Sequence, residues 1–182
     1  MSKVNEGEKY NYLMCLNHWL MAIMIFGMIA VGWFMVGLDP AKEPYKWTLY
    51  AYHEAFGLLV LGLIIFRAVV RSKSKVPPYP ENIGFSSYYK KIAKSTHLIF
   101  YPLIALIPIL GILMNLYGGY DINFFITKLP KLANVNQQLS EFFQNYHRIF
   151  AYVLLALIGL HIAATLKHLL VNKVNLMKRI NL

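Results

Sequence analysis

Six residues stand out as able to do chemistry in a chain that otherwise offers little: His18, His53, His97, His147, His161 and His168. There is one cysteine, Cys15, and of the eight acidic residues only Glu54 falls inside a long apolar run. Imidazole binds metals, shuttles protons and forms hydrogen bonds, so spacing has to decide between these uses. His147 and His161 are 14 residues apart. At about 100° per residue this interval falls about 40° short of four full turns, so on one helix both rings point the same way, about 21 Å apart along the axis. Ala151, Leu154, Ile158 and Thr165 lie on or near that face, and the small Ala151 and Thr165 leave room for a flat group. His53 and Arg67 repeat the same interval, with the small Gly57 one turn after His53.

The elements that carry these residues are apolar throughout. Tyr10 to Leu38, Ser95 to Tyr120 and Ile149 to Leu166 contain no charged residue, and Trp47 to Phe66 contains only Glu54. Each run is close to or longer than the ~18–20 helical residues that cross ~30 Å of hydrocarbon. The pattern predicts spans at 16–37, 49–70, 97–117 and 146–169, joined by loops at 71–96 and 118–145. Hydrophobic residues make up 58% and charged residues 14% of the 182, against ~45–50% and ~25% in soluble domains. That excess excludes an ordinary soluble enzyme and a disordered chain. The runs lack the period-two alternation of barrel strands. The first is too long for the core of a cleaved leader. The reading is an all-α integral membrane protein, a single domain over 1–182 built as a four-transmembrane-helix bundle.

The net charge of +10 then becomes a topology signal. Four spans put both tails on one side with the 71–96 loop, and that side holds 13 of the 18 basic residues. By the positive-inside rule both termini are cytoplasmic. Nothing in the basic stretches resembles a nucleic-acid motif. Pro77, Pro78 and Pro80 bar a helix from the basic loop, and Asn134 to Phe143 is expected to form a short surface helix with Leu139, Phe142 and Phe143 toward lipid. Cys15 reads as a small apolar packing residue. In this frame His53 and His147 are the two outer histidines, while His18, His97, His161 and His168 lie on the inner side.

Ionisable groups within a membrane are expensive and mark function. A zinc site asks for about four close N, S or O ligands, and polar partners near each group are sparse. A proton relay usually recruits carboxylates, and only Glu54 is at hand. Haem brings four equatorial nitrogens of its own and needs only axial ligands. Two haems, one per leaflet, each between two helices, fit the count. Their propionates would need cations. Arg67 and Arg148 are candidates, whereas Lys167 reads as a lysine snorkelling to headgroups.

With these residues in place the chain resembles the prokaryotic cytochrome b561 family, along most of its length. Span one reads NHWLMAIMIFGMIAVGW, span two HEAFGLLVLGLIIFRAVVR, span three HLIFYPLIALIPILGILM followed by GGYDINFFITKLP, and span four HRIFAYVLLALIGLHIAATLKH. The resemblance implies a dihaem b-type cytochrome of the bacterial inner membrane with ubiquinone as electron partner. It implies axial iron ligands at His18, His53, His147 and His161, paired as His18 with His161 and His53 with His147. His97 and His168 become candidates for propionate or quinone contacts, with Arg67 and Arg148. The best-known kind of member oxidises superoxide at the outer face, and Lys128, Lys131 and Arg148 would be the local positive patch for it. The other expectation is a haem-b anchor subunit relaying electrons from a partner dehydrogenase or hydrogenase to quinone.

Overall fold

The computed structural model describes residues 9–78, 87–130 and 133–182, save the side chains of 87–90, 93, 94 and 97. Four helices are long and apolar enough to cross a membrane. They are α1 (Tyr12–Val36), α2 (Lys46–Lys73), α3 (Ser87–Gly118) and α4 (Gln137–Leu170). A hairpin of β1 (Ile122–Phe124) and β2 (Thr127–Leu129) precedes α4, and a 3-10 turn at Leu176–Arg179 follows it. In each apolar window at most 17% of residues are buried. Large side chains such as Ile23, Leu98 and Leu160 point outward, which suits hydrocarbon as the solvent.

Local signals set the ends. Asn11 caps α1, its side chain accepting from Met14 N, and Asn136 caps α4 by accepting from Leu139 N. These caps satisfy amide donors that have no partner within the helix. Arg71 and Lys73 close α2, where cations suit the negative end of the helix dipole. The helices therefore overrun the hydropathy boundaries, so α2 reaches Lys73 and α3 begins at Ser87. Residues 75–78 carry no regular structure, in keeping with Pro77 and Pro78, while Pro80 lies outside the described residues. The surface helix expected at 134–143 is not a separate element. Nothing between Phe143 and His147 breaks the helix, so its residues from Gln137 form the first turns of α4. Phe143, expected to face lipid, instead stacks on Tyr117 of α3 with ring centres 5.7 Å apart.

Consecutive helices pack on one another, α1 on α2, α2 on α3 and α3 on α4. Mid-bundle, Met21, Ile25, Val60, Ile64, Leu103 and Leu154 form one buried apolar layer. It separates two polar ends. At one, the hairpin covers the bundle, with β1 packed on α2 and Ile122 buried. Its two-residue turn puts Phe125 at φ 53°, in the left-handed region that a bulky side chain rarely adopts. The ring of Phe125 is edge-on to Phe56 of α2, 5.5 Å between centres, which helps hold that conformation.

At the opposite end the chain termini meet. Arg179 is buried, and its Nη2 donates to the carbonyls of Pro77 and Pro78. Its own carbonyl accepts from Tyr10 N, at 3.0 Å, and Trp19 Nε1 donates to Ile180 O at 2.8 Å. Cys15, 1% exposed, packs beneath this knot as a small buried thiol. Hydrogen bonds to charged groups contribute about 1.5–3 kcal/mol each. Arg179→Ala is therefore expected to lower the thermal unfolding midpoint and to speed carboxypeptidase digestion of the tail. Lys178→Ala, at an exposed neighbour, is expected to match wild type in both assays.

Candidate functional site

His53 and His147 meet inside the bundle. His53 lies near the start of α2 and His147 in the third turn of α4, and their ring centres are 6.2 Å apart with planes at 69°. They border a cavity of roughly 340 Å³ to which all four helices contribute walls, among them Ile29, Leu58, Ile104 and Leu155. Glu54 and Arg148 are the charged residues on that wall. Each imidazole is positioned by a glycine. A Cβ on Gly32 would come within 3.1 Å of His53 Cε1, and one on Gly111 within 3.4 Å of His147 Cε1 and Nδ1. A Cβ at Gly32 would crowd the His53 ring, and one at Gly111 would just touch the His147 ring.

The hydrogen bonding of the two rings differs. His147 Nδ1 lies 2.9 Å from the carbonyl of Ile107 in α3. A backbone carbonyl holding one ring nitrogen orients the imidazole and leaves Nε2 as the binding atom, the usual arrangement behind a metal-ligating histidine. His53 Nδ1 is buried and has no hydrogen-bond partner among the described residues. Such a group is costly unless something else occupies the site.

This geometry fits a metal between the rings. A metal–imidazole bond of about 2.0 Å plus about 1.1 Å from nitrogen to ring centre, doubled for two rings, gives roughly 6.2 Å. Among the described residues no group of three or more His, Cys, Asp or Glu could hold a metal ion. The protein thus supplies two ligands where a bare ion wants about four. Haem fits because it supplies the remaining four nitrogens itself.

The surroundings of His18 and His161 are different. His161 is edge-on to Phe100 of α3, 5.8 Å between ring centres. Phe100 and Ile107 are two turns apart on one face of α3, so His147 and His161 both turn toward that face, as their spacing predicts. His18 lies edge-on to Trp19, whose Nε1 reaches the tail at Ile180. Arg67 turns to α1, with Nη1 donating to Met14 O at 3.0 Å and Asn17 Oδ1 at 3.4 Å. Asn17, buried beside His18, donates in turn to Leu63 O. His168 sits near the end of α4, where its carbonyl accepts from Val174 N. The His97 side chain and all of Lys131 lie outside the described residues. Lys128 pairs with Asp121 at 2.9 Å, so it is not a free positive charge. Arg148 borders the cavity and bonds Asn145.

The family model described as prokaryotic cytochrome b561 matches residues 9–181. The chain belongs to the prokaryotic cytochrome b561 family. As a cytochrome b561 it is a multi-pass membrane b-type cytochrome that binds haem b and works in electron transfer. It is 30% identical to cytochrome b561 homolog 2 of Escherichia coli (strain K12), over 98% of this chain and 94% of the relative. It is 26% identical to a probable superoxide oxidase, CybB, of Yersinia pestis, over 94% of this chain and 95% of the relative. Cytochrome b561 homolog 1 of Escherichia coli (strain K12) is 26% identical over 89% and 90%.

Several residues that shape the site carry no chemistry of their own and escape a search for ligands: Gly32, Gly111 and the Ile107 carbonyl. Gly32→Val is expected to displace His53 and lower the haem bound per chain. Gly27→Val, where a Cβ meets nothing within 4 Å, is expected to keep it all. Haem per chain, measured as the pyridine haemochrome, checks both.

Proposed function

We propose that this cytochrome b561 holds two haems and carries electrons across the bacterial inner membrane between an outer-face donor, superoxide, and ubiquinone. His53 with His147, and His18 with His161, would hold the two haems. Arg67, Arg148, His97 and His168 are the candidates for propionate or quinone contacts. The observation that supports this reading is the His53–His147 pair, set 6.2 Å apart across an apolar cavity. When bound, haem with an imidazole on each face has no open coordination position and exchanges single electrons with outside reactants.

The chain's own contribution is positional. The Ile107 carbonyl presents Nε2 of His147 to the cavity. Gly32 and Gly111 let the helices approach both rings closely. The mid-bundle apolar layer separates the outer pair from the inner one and keeps water from passing between them. Arg148, on the cavity wall, supplies a positive charge for an anionic group on the outer side. Superoxide as donor rests on the printed name of the Yersinia pestis relative and on the family resemblance. With Lys128 paired to Asp121, Arg148 is the stronger candidate for attracting an anion.

A reduced-minus-oxidised spectrum of purified protein is expected to show b-type haem at two per chain. His53→Ala is expected to lose about half of it, and His97→Ala to keep both. Loss of haem in the His97 variant would overturn the ligand assignment. Superoxide is expected to drive ubiquinone reduction; activity no higher than a haem-free control would exclude it as donor.

A further inference from the structure

Glu54 follows His53 directly and is the one carboxylate on the wall of the outer cavity. A carboxylate facing an apolar cavity inside a membrane protein is expensive and calls for a role. Here both oxygens are fully engaged. Oε1 accepts from Asn115 Nδ2 at 2.8 Å, and Oε2 accepts from Asn123 N at 2.9 Å and Asn123 Nδ2 at 2.8 Å. All three partners are N–H donors, the complement of an acceptor-only carboxylate. Charge-assisted bonds of this kind are the stronger ones.

The donors come from two different elements. Asn115 is buried in α3, and Asn123 is the middle residue of β1. The carboxylate therefore ties α2 to α3 and fastens the hairpin over the cavity, with buried Ile122 turned into it. Among the described residues no cation bonds this carboxylate, so its three hydrogen bonds all come from neutral amide dipoles. The other charged residue on the wall, Arg148, bonds Asn145 instead.

We propose that Glu54 is the positioning residue of the outer redox centre: its carboxylate clamps the 122–129 hairpin over the His53–His147 cavity and supplies the negative charge that favours the oxidised haem there. This rests on the haem reading above. Oxidised haem b carries one more positive charge than reduced haem, so an uncancelled anion nearby, in a medium of low dielectric, stabilises the oxidised form and lowers the reduction potential. An isosteric neutral side chain would raise that potential. The hairpin clamp would survive the change, because a glutamine oxygen still accepts from Asn123, and the Asn115 amide can turn its own oxygen to the glutamine NH₂.

The test uses the full-length protein in lipid nanodiscs, with Glu54→Gln, Glu54→Asp and Glu54→Ala beside wild type. Three quantities are measured: haem per chain, the two midpoint potentials by spectroelectrochemical titration, and amide hydrogen exchange across 120–130. Glu54→Gln is expected to keep both haems and the hairpin's protection while one midpoint rises and the other stays. Glu54→Asp, which keeps the charge, is expected to restore that midpoint toward wild type. Glu54→Ala is expected to raise the same midpoint and to speed exchange of the hairpin amides. Unchanged midpoints in Glu54→Gln, or equal shifts of both, would overturn the electrostatic role. Unchanged exchange in Glu54→Ala would overturn the clamp. A wild-type protein without haem would instead overturn the reading on which the proposal rests.

Discussion

Everything at the outer end of this bundle answers to one constraint: two imidazoles must be held close together where there is no water to solvate them. An imidazole in hydrocarbon is tolerated only when its nitrogens are occupied. His147 meets this with the Ile107 carbonyl on one side and the cavity on the other. Among the described residues His53 Nδ1 has no hydrogen-bond partner. The cavity walls around both rings are largely apolar. The glycines at 32 and 111 and the Ile107 carbonyl serve that geometry.

The two polar ends solve the problem of closing a bundle in different ways. The outer end is closed by a carboxylate with amide donors, on a hairpin that brings few charges. The inner end is closed by guanidinium groups on carbonyls, Arg179 on Pro77 and Pro78, and Arg67 on Met14. The guanidinium closure lies on the side that carries most of the basic residues, as the positive-inside rule expects. Between the two ends the buried layer of Met21, Ile25, Val60, Ile64, Leu103 and Leu154 is apolar.

The fold was legible because hydrocarbon length and helix rise leave few choices for four uncharged runs. The shared face of His147 and His161 was legible for the same reason, since helical periodicity carries direction as well as length. Boundaries were less so. Capping by Asn11 and Asn136 and the basic last turn of α2 extend helices into polar sequence, where hydropathy is blind. The hairpin at 122–129 escaped notice because its turn, Phe125 and Ile126, lacks the Gly or Asn that such turns favour; contact with Phe56 substitutes for that preference. The clamp on Glu54 could have been found in part. Asn115 is the lone amide in an otherwise apolar stretch of α3, and a lone polar residue there signals a partner. For Arg67 the spacing gave a face of the helix, but not the bonds that its long side chain makes to Met14 and Asn17 of α1.

The knot around Arg179 has a consequence for the order of assembly. Arg179 follows all four membrane-spanning helices in the chain, yet it is the residue that joins Tyr10 to the Pro77–Pro78 segment. While the ribosome is still making α4, the inner end of the first helix can already bond to α2 through Arg67 and Asn17, but the strap across Tyr10 and Pro77–Pro78 is still missing. That interval is a natural window for a bulky cofactor to slip between the helices before the inner end is tied shut.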